Sequence, residues 1–281
     1  HEYAPGMRVV INHGVYESGG LTLNWQAPAG KEGVKEIQQI KYLMKCEKCH
    51  QTFMVSQAMA GGICPNCGHD KLVSRKSILP AGFCVSANYK PTNDLSNLNP
   101  YKRLEDIVYI EGMPHPVGTS GLLAMKSSTM AQILAINDGH GLGFAVCLNC
   151  GWAKPEPKNQ EDIDDDYFRH QPLRYSFHGK DESGYCLGGQ DGHGYQLQRG
   201  VSLVSERFTD ALELVFTDGF ERLENDSRAI SAGYGIAIAL RRAIAEYLGI
   251  EEEEIGIAVD KERSKTSGDL IVQLYDQNMG G

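Results

Sequence analysis

Four cysteines in the pattern Cys46-x2-Cys49-x14-Cys64-x2-Cys67 constrain this chain more than any other feature. Two thiols two residues apart share one tight turn, and two such knuckles on neighbouring hairpins enclose a cation tetrahedrally. The sequences CEKCH and CPNCGH supply the proline and glycine that such turns favour. Four thiolates leave no open coordination position for water, so a zinc held here supports the fold and does no chemistry. Cys46 to His50 also has the CxxCH spacing of haem attachment, but the second knuckle favours zinc. His50 and His69 beside the knuckles read as turn or surface residues.

A third knuckle, Cys147-Leu148-Asn149-Cys150-Gly151-Trp152, has no sequence-adjacent mate. After Cys150 the remaining soft ligands are His170, His178, Cys186 and His193. A site of Cys147, Cys150, Cys186 and one of these imidazoles is chemically ordinary, and the long loop between its halves is tolerable because closure entropy grows slowly with length. The residues alone leave the fourth ligand open. Cys84 reads as a small core residue.

Six of the eight cysteines lie in CxxC spacings, a pattern that in a reducing compartment favours metal over cystine. No apolar stretch approaches the roughly 18 residues of a membrane span, and the N-terminus has no charged-then-apolar leader pattern. The chain therefore reads as cytoplasmic. Its length of 281 residues accommodates one large or two medium domains. A first residue of His and a last stretch LYDQNMGG suggest a segment of something longer.

The net charge of −9 argues against a wholly basic nucleic-acid surface. Local basic groups remain at Lys71, Arg75 and Lys76, at Arg241 and Arg242, and at Lys261, Arg263 and Lys265, each most simply a solvated face. The run EDIDDD lacks the alternating ligands and glycine of a calcium loop and reads as a solvated charge run. No GxxxxGK[ST] loop, GxSxG elbow or HExxH helix motif is present, so nucleotide hydrolysis, acyl transfer and zinc-protease chemistry have no support.

Residues 1 to 45 are β-rich, in MRVVINHGVY, LTLNWQAP and VKEIQQIKYLM. Short runs IVYIEG, GLLAMKSS and AQILAIND predict further strands, with a strong turn at NDGHGLG. Residues 153 to 184 are polar and acidic and read as an irregular insertion, whereas SLVSERFTDALELVF reads as strand. One long helix is predicted after Asn225, Asp226 and Ser227 as possible N-caps, ending at Gly249. Its face of Ile230, Ile236, Ile238, Leu240, Ile244 and Leu248 is expected in the core. EIGIAVD and DLIVQLYD close the chain as strands.

Taken in order, HEYAPGMRVVINHGVYESGGL, LPAGFCVSANYKP, CLNCGW with a later His and Cys, ERFTDALELVF, the Ala-rich helix and IVQLYDQNMGG resemble the MrfA-like zinc-binding family. That family forms the C-terminal part of DExH-type repair helicases and occurs in the DrmB subunit of the DISARM anti-phage system. The resemblance implies zinc ligands at Cys147, Cys150 and Cys186, with the histidine at His170 or His178 and a slight preference for His170. It maps the family's Thr-Asp pair to Thr209 and Asp210, and its terminal motif to Tyr275, Asp276, Gly280 and Gly281. No helicase motor is legible in the chain, which departs from the repair helicases.

These readings predict an α+β fold: a mixed β-rich domain at 1–140 with a four-cysteine zinc ribbon inserted at 46–67, then a zinc-binding α/β domain at 141–281 with one long helix. Two structural zincs are expected, the first on Cys46, Cys49, Cys64 and Cys67, and no catalytic residue. The resemblance implies a DrmB-like accessory subunit of a superfamily 2 DNA helicase in anti-phage defence. Its partners would be DNA and a DrmA-like helicase, with no membrane. Alternatives are the zinc-binding tail of a DExH repair helicase, a protein-docking module, or a nuclease using Glu206, Asp210, Glu213 and Asp276. The nuclease requires a helical stretch to align its carboxylates, where the pattern reads as strand.

Overall fold

The chain is described by a computed structural model covering residues 3–22, 40–56, 62–86, 90–93, 104–159, 167–173, 180–189, 197–223 and 225–278. The fold is α+β and strand-rich. In chain order the first strands are β1 (Arg8–Ile11), β2 (Gly14–Leu21), β3 (Ile40–Cys46), β4 (Thr52–Val55), β5 (Leu72–Ile78), β6 (Phe83–Val85) and β7 (Asp106–Tyr109). There follow β8 (His115–Pro116), β9 (Leu123–Asn137), β10 (Phe144–Cys147), β11 (Ala153–Pro155) and β12 (Leu197–Phe216). The chain ends with helix α1 (Asp226–Leu248), β13 (Ile255–Val259), helix α2 (Lys261–Ser267) and β14 (Leu270–Asp276). No helix among the described residues is long and apolar enough to cross a membrane.

Packing gathers the chain into two units that interleave along the sequence. One comprises residues His1–Lys41, Arg75–Leu104 and Ile136–Ser205, and the other Tyr42–Ser74, Glu105–Ala135 and Glu206–Gly281. Each draws on both sides of residue 140.

In the first unit β1 and β2 form a hairpin through Asn12 and His13, both at positive φ, the left-handed pair that a two-residue turn requires to match strand twist. β2 also pairs β6, and β10 lies between β11 and the start of β12. Val201, Ser202, Leu203 and Val204 of β12 are all buried, the continuous pattern of a strand covered on both faces. The NDGHGLG turn follows β9, with Gly139, His140, Gly141 and Gly143 at positive φ.

In the second unit β3 and β4 form the hairpin that carries the first knuckle, and β7 and β8 both pair with β9. GLLAMKSS and AQILAIND lie on one 15-residue strand, β9, not two. The end of β12 pairs with β14, and β14 with β13, both antiparallel. Glu206 to Phe216 is strand, and its burial alternates from Phe208 to Glu213.

Helix α1 begins where Asn225 accepts hydrogen bonds from the amides of Ser227 and Arg228, and ends at Gly249 with φ 72°. Both ends satisfy orphan backbone groups. Its buried face matches the expected one in part. Ala229, Gly233, Ala237 and Ala245 are buried, Ile230, Ile236, Leu240 and Ile244 flank them, and Ile238 and Leu248 are exposed. Small residues win because they let the helix axis approach β13 and β14 closely. A Cβ on Gly233 would lie 3.1 Å from Leu270 and from both Val259 methyls, whereas one on Gly235 meets nothing within 4 Å. Gly233→Ala is therefore expected to be less favourable than Gly235→Ala, because crowding at three side-chain carbons offsets the helix-propensity gain of about 0.5–1 kcal/mol that Gly235→Ala keeps. Paired urea titrations check the difference.

The second unit also buries charge. Glu213, fully enclosed on β12, accepts from Arg263 Nη1 at 2.6 Å and Nη2 at 3.0 Å, and from Gln273 Nε2 at 2.6 Å. Lys126 Nζ stands 3.3 Å from the same carboxylate. Sequence patterning placed Arg263 on a solvated face, but it is 7% exposed, because Glu213 and the α2 N-cap Asp260 satisfy its donors. Burial alone would raise the Glu213 carboxyl pKa, yet Arg263 and Lys126 hold it below the ordinary range.

Candidate metal centres

Three knuckles in this chain share one backbone construction. The first cysteine's amide donates to the carbonyl five residues on, at Cys46 to Gln51, Cys64 to His69 and Cys147 to Trp152. Its carbonyl accepts from the amide four residues on, at His50, Gly68 and Gly151. Those last three residues take positive φ, at 56°, 71° and 84°. Glycine suits that conformation, and His50 adopts it at a cost of roughly 1–2 kcal/mol. The turn directs both sulfurs of each pair to the same side.

At the first centre Cys46, Cys49, Cys64 and Cys67 bring their sulfurs within 4.8 Å of one another. Cys46 Sγ lies 3.6 Å from Cys67 Sγ, and Cys49 Sγ 3.6 Å from Cys64 Sγ. A tetrahedron of sulfurs at the zinc–thiolate length of about 2.3 Å has edges of about 3.8 Å, and a disulfide would need about 2.05 Å. The four sulfurs fit a metal and are not cystines. Burial is the leading cause that pushes the Cys64 thiol up to about 12, a penalty on thiolate that a bound cation removes.

The second centre joins Cys147, Cys150, His170 and Cys186, all buried, again within 4.8 Å. Cys147 Sγ is 3.9 Å from Cys186 Sγ, and Cys150 Sγ is 3.3 Å from His170 Nε2. His170 Nδ1 faces the carbonyl oxygen of Phe168 at 2.8 Å, and Trp152 stacks on the ring at 4.3 Å. With the proton on Nδ1, Nε2 keeps its lone pair for a metal. His170 thus stands where the sequence left three histidines open, while His178 and His193 lie outside the described residues. The Cys186 amide donates to the His170 carbonyl at 2.9 Å, so the two late ligands position each other.

One recurrent signal went unread in the sequence. Both CPNC and CLNC carry asparagine immediately before the second cysteine. Asn149 Nδ2 lies 3.5 Å from Cys186 Sγ, and Asn66 Nδ2 lies 3.8 Å from Cys49 Sγ, so each amide points at a sulfur from outside its own knuckle. The stacking of Trp152 on His170 and the pairing of Glu213 with Lys126 and Arg263 carry no sequence signal either, because the partners are remote in sequence.

The candidate nuclease carboxylates do not converge. On strand β12 Glu206 and Asp210 have one parity and Glu213 the other, which places them on opposite faces. Glu213 is occupied by Arg263, Glu206 accepts from Gln132 Nε2 at 2.8 Å, and Asp276 accepts from the Asn278 amide. Among the described residues only the two cysteine-rich groupings gather three or more metal-binding side chains. Of the resemblance's other positions, Thr209 is buried, Asp210 is exposed, and Tyr275 donates to Asp106 at 2.6 Å. Gly280 and Gly281 lie outside the described residues.

Most of the basic groups singled out in the sequence are engaged. Arg75 bonds the Gly141 carbonyl and faces Asp138, Lys76 bonds Gln198, Arg241 faces Glu252, Lys261 pairs with Glu105 and Lys265 with Asp226. Lys71 and Arg242 are exposed. Cys84 sits half-buried on β6.

The fold and sites define a strand-rich α+β protein with two four-ligand groupings that could hold metal ions. The chain is 26% identical over 314 aligned residues to Druantia protein DruE of Escherichia coli (strain UMEA 4076-1). That alignment covers 100% of this chain and 16% of DruE, so the chain spans a small part of this relative's length. No protein-family model matches the chain, and no solved structure matches it.

Proposed function

We propose that this chain is a zinc-stabilised, non-catalytic module of an anti-phage defence machine, working with a superfamily 2 DNA helicase. The observation that carries the defence reading is the whole-chain likeness to DruE, an anti-phage defence protein. The scaffold reading follows from donor chemistry. Four thiolates, or three thiolates and an imidazole, are the ligand sets of structural zinc, and neither leaves a coordination position for substrate. Cysteines gathered for metal and not paired as cystines fit a reducing compartment, which favours the cytoplasm.

The MrfA-like resemblance supplies the finer reading. It makes the chain a DrmB-like partner that holds a DrmA-like helicase on DNA, or the corresponding tail of a DExH repair helicase. An acidic net charge favours contact with the motor over a broad grip on DNA.

The test uses the intact defence locus. Cys46→Ser and Cys147→Ser are each expected to abolish protection in a phage plating assay. The purified assembly should show lower DNA-stimulated ATPase with either variant, while the helicase subunit alone is unchanged. Full protection by both variants would overturn the proposal. DNA affinity measured between about 50 and 200 mM salt separates the modes: a steep decline marks phosphate contacts by this module, and a flat response marks a protein-docking scaffold.

A further inference from the structure

The first centre is connected to the buried charges of its own unit. Asn66 lies between the ligands Cys64 and Cys67. Its Nδ2 lies 3.8 Å from Cys49 Sγ, and its Oδ1 accepts from Lys126 Nζ at 3.4 Å. Lys126 also donates to the carbonyls of Ile110 at 2.8 Å and Gly112 at 3.2 Å, and faces Glu213 Oε1 at 3.3 Å. From Glu213 the network continues to Arg263 and Asp260. Lys126 and Arg263 are the buried lysine and arginine among the described residues, and both belong to this network.

Charge supplies the reason. A divalent cation with four thiolates carries a net charge of about −2, which a partly buried site must have balanced nearby. Burial opposes the Arg263 charge, and Glu213, Asp260 and Cys49 together more than offset it. Burial also pulls the Lys126 ammonium below its ordinary pKa, with Glu213 acting in the opposite sense.

We infer that Asn66 and Lys126 form the outer sphere of the first metal centre, Asn66 orienting Cys49 and Lys126 offsetting thiolate charge. Metal retention and the order of the β9–β12–β14 core are thereby coupled. Coupling of this kind is reciprocal: the metal steadies the Lys126–Glu213–Arg263 network by the same free energy with which that network holds the metal. The inference rests on the reading of Cys46, Cys49, Cys64 and Cys67 as a metal centre. Asn149 marks the contrast, since it reaches Cys186 at the second centre, where no buried lysine stands among the described residues.

The test follows zinc release from the zinc-loaded chain to a chromogenic chelator, for wild type, Asn66→Ala and Lys126→Met, with the second centre as internal reference. Loss of an outer-sphere partner typically weakens metal binding about 10–100-fold. First-site release is expected to accelerate by that factor in both variants, with second-site release unchanged. Hydrogen exchange should also rise in β9 and β14 of Asn66→Ala, although that change removes no core atom. Wild-type release and exchange in Asn66→Ala would overturn the inference, as would equal acceleration at both centres, the mark of general destabilisation. If Lys126→Met does not fold, Asn66→Ala carries the test alone. A wild-type chain with no first-site zinc would sink both this inference and the metal reading beneath it.

Discussion

Replacing Glu213 with leucine is expected to lower the unfolding free energy by about 3–5 kcal/mol, the usual cost of leaving a buried charge without its partner. The carboxylate accepts two bonds from Arg263 and one from Gln273, and stands beside Lys126. Its removal takes from Lys126 and Arg263 the carboxylate they share and leaves Asp260 as the remaining anion beside Arg263. Much of the cost comes from what remains, so Lys126→Met and Arg263→Met added to Glu213→Leu should recover part of it, short of what Lys126 lends the first centre and what Asp260 loses with Arg263. Urea midpoints in zinc-replete buffer measure both steps, and a single-variant loss below about 1 kcal/mol would refute the argument. The pH dependence has a defined sign. The folded pKa of Glu213 is depressed, so its contribution is fully present above the unfolded value of about 4.3 and is lost as pH falls through the lower folded value. Glu213→Leu should lack that part of the acid transition.

The second large effect concerns metal. The purified chain is expected to hold two zincs, and Cys46→Ser, Cys147→Ser and His170→Ala each to hold about one. Structural zinc in small domains contributes an apparent 10–16 kcal/mol of folding free energy, roughly, per site. Chelation should therefore abolish cooperative unfolding, whereas point changes at the surface barely shift it. Elemental analysis against protein concentration reads the stoichiometry. One zinc in the wild type that is retained by Cys147→Ser would remove the second centre. Retention of two by His170→Ala would move the fourth ligand elsewhere. Proton release supplies an independent check. Burial opposes a charge on the His170 imidazole, but the cluster of cysteine sulfurs around it outweighs burial and pushes it up to about 9. Zinc uptake must displace that proton, so affinity should climb as pH rises towards about 9.

Much of this was readable from local pattern. A CxxC knuckle is made by six consecutive residues, so its turn, its positive-φ position and its ligand identities are set by near neighbours. The same holds for α1, whose ends depend on Asn225 and Gly249 within a turn of the helix. Strand alternation in β12 likewise placed Glu213 opposite in parity to Glu206 and Asp210, which argued against the nuclease geometry before any distance was measured.

What the chain could not disclose by itself was every decision made between distant residues. His170 and Cys186 reach Cys147 across 23 and 39 positions of sequence, and spacing alone did not rank His170 above its neighbours. The deepest residues of α1 proved to be Ala and Gly, with Ile230, Ile236, Leu240 and Ile244 packed beside them and Ile238 and Leu248 exposed, because small residues let the helix approach β13 and β14 closely. Arg263 looks like a surface arginine in KERSK, and Glu213 from 50 residues away, with Asp260 beside it, makes its burial tolerable. Short-range sterics and hydrogen bonds determine the knuckles and caps, and those act between neighbours. Burial and charge pairing act through space, and only the tertiary structure decides which groups share a dry site.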